Sequence, residues 1–327
     1  MPVRKTETRI PTGMQPADLG QAVVASDSRC ALISFVPNPV VVARENTYVL
    51  LVTDPGLASA TQSFEWSFVE NEGAPIVQTT DFGEKAYTPT ATGSLAITVK
   101  LLGAANAIQA ELSMQQAIVV SSVPLETLID QAVSSTGPTA GSPDVLRELI
   151  NEHNLYYQNV ALQAAEAGEG FKKFVFSMVY DGASRKNRAE RKAILNELAA
   201  SINTSSVDFA TASSSGAGVC EIRPLLLSMI IPGMTAWTLL PEDVAQRRVQ
   251  MDSLLQALAA MDEAKQIDLF NIIRFPKSNI IYCGRILEAL RNAYFNTTNF
   301  EDVLSGMSGA RSQWIIGQYR QGPVVRS

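Results

Sequence analysis

Ser63-Phe64-Glu65-Trp66-Ser67-Phe68-Val69-Glu70 is the stretch that decides how the first half of this chain folds. Its apolar rings sit at every second position, with Glu65 and Ser67 between them. A period of two places Phe64, Trp66 and Phe68 on one face of a pleated strand, and that face is the one a sheet buries.

The surrounding sequence has the same texture. Upstream, Ala31-Leu32-Ile33-Ser34-Phe35-Val36 stops at Pro37-Asn38-Pro39. Val40-Val41-Val42-Ala43 follows, then Thr47-Tyr48-Val49-Leu50-Leu51-Val52-Thr53, which ends at Asp54-Pro55-Gly56. Downstream, Leu95, Ile97 and Val99 alternate with Ala96, Thr98 and Lys100. Leu112, Met114 and Ile118 belong to a final stretch ending near Val120. Short strands bounded by turns at such intervals predict a β-sandwich.

The Trp66-Ser67-Phe68 strand, followed by Tyr87-Thr88-Pro89, Gly93 and Leu95-Ala96-Ile97-Thr98-Val99, resembles a polycystic-kidney-disease-type immunoglobulin-like module. In that family a Trp-Asp-Phe-Gly-Asp-Gly strand and turn precede a Tyr-Thr, a Gly and a final Thr-Val strand. Here Ser67 stands in place of the family's Asp, and Val69-Glu70-Asn71-Glu72-Gly73 in place of its tight Gly-Asp-Gly turn. The resemblance covers less than a third of the chain. It implies an immunoglobulin-like fold and a habit of mediating contacts, and it carries over no catalytic residue.

The expected organisation is an all-β module followed by a larger, mainly helical domain. Residues 1–26 mix charge, Pro, Gly and Thr without a period and read as a flexible arm of the kind that orders against a neighbour. The sandwich spans 27–121. Residues 122–143, rich in Ser, Thr, Gly and Pro, form a linker with room for a short helix at 125–133.

The helical domain covers 144–327. Ser142 and Pro143 are start signals for its first helix, whose apolar face runs Leu146, Leu149, Ile150, His153, Tyr157, Val160, Ala164 until Gly168 and Gly170 interrupt it. The apolar, aromatic run from Phe171 to Tyr180 fits either class. A second helix runs from Ser184 to about Ile202, and 203–218 reads as a surface loop. Pro241-Glu242-Asp243 opens a third helix. Pro276 breaks the next pattern, after which Ile286, Leu287, Leu290 and Tyr294 mark another. Thr298 and Glu301 have capping-box spacing.

Composition narrows the chemistry. At 327 residues the chain suits two domains of about 150 residues each. Its 46% apolar and 18% charged residues belong to a globular protein, and a net charge of −6 opposes general nucleic-acid binding. Cys30, Cys220 and Cys283 form no CxxC pair and read as buried free thiols in a reducing compartment. Nothing apolar follows the basic residues of the first segment, so the expectation is cytoplasmic synthesis without a secretory signal, with release by lysis or specialised export.

His153 is the only histidine, which rules out multi-histidine metal centres, and no metal or cofactor is expected. Its place on an apolar helix face suits a structural role. Gly168-Glu169-Gly170 and Gly216-Ala217-Gly218 lack the third glycine of a dinucleotide loop, and no GxxxxGK[ST] occurs. The remaining route to catalysis is a carboxylate pair drawn from Glu166, Glu169 and Asp181, which could serve glycan hydrolysis if one carboxyl lay in an apolar setting.

Arg185, Lys186, Arg188, Arg191 and Lys192, tempered by Glu190, are the densest charge cluster. On a helix Arg185, Arg188 and Lys192 share a face, and Arg191 joins Arg188 at i+3, a candidate anion site on the basic helix 184–202. Pro224 to Leu240 carries no charge across seventeen residues, with Pro232-Gly233 at its middle. That segment reads as two short buried elements joined by a turn, or as a hairpin that inserts into a membrane.

The leading functional expectation is a non-enzymatic structural or interaction protein that self-assembles or binds a protein partner, as a component or cargo of a bacterial or phage particle. One alternative is an envelope-targeting effector acting by membrane insertion through 224–240 or by cell-wall glycan hydrolysis. The other is anion or nucleic-acid binding through helix 184–202.

Overall fold

The computed structural model describes residues 9–20, 22–35, 40–114, 117–122, 171, 174–175, 178–179, 181–182, 185–202, 206–295 and 310–323. The arm residues 1–8, the linker beyond residue 122, His153, Glu166, Glu169 and the Thr298/Glu301 pair lie outside the described residues. The chain divides into two compact units, Met1–Tyr157 and Gln158–Ser327. The first carries β-sheet and the second is mainly helical, the order of classes expected from the sequence.

The β unit has ten strands among its described residues: β1 (Ala22–Ser26), β2 (Cys30–Ser34), β3 (Val40–Val41), β4 (Asn46–Val52), β5 (Ser63–Glu70), β6 (Ile76–Thr80), β7 (Glu84–Tyr87), β8 (Gly93–Leu102), β9 (Ile108–Ser113) and β10 (Ile118–Ser121). One sheet runs β1-β2-β4-β7; the other runs β3-β10-β8-β5-β6, with β9 also paired to β8. β5 and β8 form the centre of the second sheet, antiparallel with Trp66 opposite Val99 and Phe68 opposite Ile97. The alternation of β5 plays out as predicted: Phe64, Trp66 and Phe68 are buried and their neighbours are not.

These rings meet Leu32, Tyr48, Leu50 and Val52 of the first sheet in one core, so the two sheets form a sandwich. Phe68 stacks on Tyr87 at 4.1 Å between ring centroids, within 2° of parallel. The indole of Trp66 is fully buried and donates Nε1–H to Thr80 Oγ1 at 2.8 Å, which meets the polar handle's demand for a partner.

Some local elements differ from expectation. Residues 22–26, placed in the arm by composition, pair with β2 as β1. Asp27 closes that hairpin by accepting the amides of Arg29 (2.7 Å) and Cys30 (2.8 Å), a local turn that strand periodicity does not reveal. A four-residue helix α1 (Pro16–Leu19) precedes it and buries Leu19. Asp54-Pro55-Gly56 ends β4 and also starts a helix, α2 (Pro55–Ala60): Asp54 accepts the Leu57 amide at 2.6 Å and Pro55 occupies the first helical position.

In the second unit the described residues between Phe171 and Arg185 are helical, resolving the ambiguous run, with Phe171, Val175, Met178 and Val179 buried. The next helix, α3 (Arg188–Ser201), begins four residues later than Ser184. Asn187 is its cap, accepting the Glu190 amide at 3.0 Å while Glu190 accepts the Asn187 amide at 2.8 Å.

Within the predicted 203–218 loop lies a short helix, α4 (Ser206–Ala212). Helices α5 (Pro224–Ile230), α6 (Val244–Ala259), α7 (Glu263–Arg274), α8 (Pro276–Phe295) and α9 (Ala310–Gln321) follow among the described residues. Every residue of α7 from Gln266 to Arg274 is buried, which makes it the central helix of this unit. Ile286, Leu287 and Leu290 lie buried on α8 in the spacing read from the sequence.

Candidate functional site

The predicted basic cluster is drawn into a charge network. Arg185 Nη2 contacts Asp181 Oδ2 at 2.7 Å and also pairs with Glu221, while Arg320 pairs with Asp181. Lys186 Nζ lies 2.6 Å from Glu221 Oε1, a charge contact rather than an aligned hydrogen bond. Arg191 is buried and donates to the Lys186 carbonyl, whereas Lys192 is exposed. Arg185 is therefore committed to carboxylates, and Arg191 caps a backbone oxygen.

Glu221 and Arg320 had no place in the sequence-level site. The Gly216-Ala217-Gly218 run marks the loop that places Glu221, and no local pattern marks Arg320. Ala217 and Ile222 pair across a tight loop, and Glu221 within it takes the left-handed conformation at φ 51°. Gly218 sits at φ 73°, where a Cβ would approach Asn279 Nδ2 to 2.2 Å and Ile273 O to 2.5 Å. Only glycine fits so close to the backbone of another segment. Asn279, fully buried on α8, accepts the Cys220 amide at 2.8 Å and donates to Ile273 O at 2.9 Å.

The glycines thus build a shelf that holds Glu221, at only 8% exposure, against Arg185 and Lys186. Asp181 is the one candidate catalytic carboxylate among the described residues. Two arginines hold it, so the arrangement clamps three segments together. Among the described residues no group of His, Cys, Asp and Glu could hold a metal ion.

Beside this network Cys220 and Cys283, remote in sequence, meet in the interior, and Tyr319 donates its hydroxyl to the Cys220 carbonyl at 2.9 Å. Burial, reinforced by the neighbouring Cys283, holds the Cys220 thiol well above its ordinary pKa. Such thiols are poor nucleophiles.

The uncharged segment 224–240 is buried at its two ends and half-buried or exposed between them. Pro224 to Met229 are buried on α5, a turn at Pro232-Gly233 follows, and Leu240 is buried with its amide on the Pro323 carbonyl. Among the described residues no helix is long and apolar enough to cross a membrane.

The edges of the sandwich differ from one another. β7 carries Glu84 and Lys85, β1 is bulged between Val23 and Ala25, β3 has only two residues, and β9, paired to β8 alone, carries Glu111 and a register shift opposite Leu101 and Leu102. Each of these is a device that blunts an edge against pairing. β6, Ile76-Val77-Gln78-Thr79-Thr80, has no charge and no bulge. It pairs in unbroken register with β5, and among the described residues no strand lies on its other side. Ile76 and Val77 are 43% and 53% exposed.

Comparison with protein-family models, with curated proteins and with solved structures gives no match. The unblunted apolar edge of β6 is the feature with a direct chemical consequence. Its unpaired amides and carbonyls can extend the sheet with another strand.

Proposed function

We propose that this chain is a non-enzymatic interaction protein. Its β-sandwich is a polycystic-kidney-disease-type immunoglobulin-like module that associates through the free edge of β6. The observation that carries this reading is the contrast between the edges: β7, β1, β3 and β9 are each charged, bulged or very short, and β6 is none of these.

The partner is a second copy of the chain. Two β6 strands running antiparallel about Gln78 would place Val77 opposite Thr79 and Ile76 opposite Thr80, cross-strand pairs of β-branched residues that favour pairing. A two-fold contact of this kind is self-complementary. Such an association suits a component or cargo of a bacterial or phage particle.

Light scattering across a concentration series tests the proposal. A defined dimer, or growth to larger species, supports it; a monodisperse monomer at every concentration opposes it. The envelope-effector and anion-binding alternatives are less well supported, since 224–229 is packed inside its unit and Arg185 is paired with Asp181 and Glu221.

A further inference from the structure

A cavity of about 70 Å³ opens in the helical unit between α5, α6 and the residues that follow α4 and α9. Its wall is apolar, formed chiefly by Leu226, Met229, Leu240 and Leu255. Two polar groups break that wall. Arg223 lines the cavity, and among the described residues its guanidinium makes no hydrogen bond or ion pair. Ser213 lines it as well, fully buried, with its hydroxyl oxygen lacking a partner.

A buried hydroxyl without a partner opposes folding, and Arg223, half-buried, has no counter-charge among the described residues. Burial lowers the pKa of Arg223 from its ordinary value, as expected for a guanidinium with no counter-charge. An oxyanion within reach of both cavity-lining groups would satisfy them, since a guanidinium offers a planar two-pronged donor and a serine a single one.

The size of the cavity selects the rest of the ligand. About 70 Å³ is half of the roughly 150 Å³ that admits a benzene ring, so the cavity takes a short branched alkyl group and the remainder of the ligand lies in its open mouth. The opening is kept by Gly322 at φ 99°, where a Cβ would come within 3.0 Å of Leu240 Cδ1 and 3.1 Å of Met251 Cε.

We propose that this pocket binds a short aliphatic carboxylate, with the alkyl group on the leucine wall and the carboxylate held by Arg223 and Ser213. The ligand is either a free acid or the C-terminal carboxylate of a polypeptide ending in an aliphatic residue. This inference is independent of the β6 reading.

Calorimetric titration of the full chain tests it with three probes: 3-methylbutanoate for the free acid, N-acetyl-L-leucine for a chain terminus, and 3-methylbutanamide as the uncharged isostere. One of the carboxylates should saturate the protein near ~1 mM, ordinary for so small a ligand, and the amide should not. Arg223→Met should weaken binding roughly 10- to 100-fold, the range for losing a charge-assisted hydrogen-bonded contact.

Ser213→Ala should weaken binding a few-fold while leaving the melting temperature of the ligand-free protein unchanged or raised, because it removes an unsatisfied hydroxyl. No saturation by either carboxylate at about 10 mM would overturn the proposal. So would equal affinity for the amide, or full affinity in a folded Arg223→Met protein.

Discussion

Tyr87 donates its hydroxyl to Glu70 Oε1 at 2.6 Å, joining the end of β7 to the end of β5 across the two sheets. Glu70 also accepts the Thr90 amide at 2.9 Å, the Thr90 hydroxyl at 2.8 Å and the Ala91 amide at 3.0 Å, so one carboxylate organises the β7–β8 connection. Next to it Asn71 accepts the Ser94 amide at 2.8 Å and donates to Thr92 O at 2.9 Å. Gly93, at φ 128°, leaves space for it: a Cβ there would lie 2.0 Å from Asn71 Oδ1.

Burial alone would raise the Glu70 pKa, but the donors from Tyr87, Thr90 and Ala91 outweigh it and hold the carboxyl below its ordinary value. A depressed carboxylate contributes stability that is complete above the unfolded pKa of about 4.3 and is lost as pH falls through the folded value. Glu70→Gln and Tyr87→Phe should each cost about 1–3 kcal/mol at pH 7 by urea denaturation. The gap between wild type and Glu70→Gln should narrow below about pH 4. A gap that stays constant down to pH 3 would show that the carboxylate is not the source.

Trp66 fills the centre of the sandwich and packs 6.4 Å from the Phe68 ring. Trp66→Ala removes the largest fully buried side chain of the core and should destabilise the β unit by about 3–5 kcal/mol. Denaturant melts of that unit give the number. A loss below about 1 kcal/mol would mean that the site collapses around the truncation or is not packed as described.

Thiol reactivity should be nearly nil in the folded protein. Burial, aided by the Asp27 carboxylate, pushes Cys30 up to about 12, and Cys220 is held high by burial and by Cys283. At pH 8 roughly one Cys30 in ten thousand is then thiolate. A disulfide-exchange reagent should label all three cysteines in denaturant and almost none without it. Rapid labelling of one thiol in native buffer would contradict the burial of that residue.

Glu221 combines a useful charge with a costly backbone. Because its φ is 51°, glycine suits the backbone there better than alanine does. Glu221→Gly should be more stable than Glu221→Ala by about 1 kcal/mol, with both below wild type after the loss of the contacts to Arg185 and Lys186. Thermal melts of the two variants decide it. Alanine outranking glycine would mean that the loop does not hold the left-handed conformation.

The parts of this fold that were legible in the sequence are those governed by periodicity. The alternation of Phe64, Trp66 and Phe68 and the helical spacing of Ile286, Leu287 and Leu290 each state a buried face directly. What escaped were elements held by tertiary pairing or by a single side chain. β1 exists because β2 offers an edge, and α3 starts where Asn187 and Glu190 cap each other.

The family resemblance pointed to Tyr87 and Gly93, while Glu70 and Asn71, where the chain departs from the family's turn, bind that connection together. The charge network was half legible. The cluster of cations is visible in sequence, but Glu221 and Arg320 reach it only through folding. The edge position of β6 could not be read from the sequence, because strand order is set by tertiary pairing.

Light scattering on the wild type and on Val77→Lys, compared over one concentration series, reads out association through β6. Val77 is more than half exposed on β6, so lysine there should leave the melting temperature of the folded chain unchanged while placing a charge on the pairing edge. The wild-type mass should rise to that of a dimer or beyond, and the Val77→Lys protein should stay monomeric. A wild type that remains a monomer throughout, or a lysine variant that associates equally well, would contradict pairing through that edge.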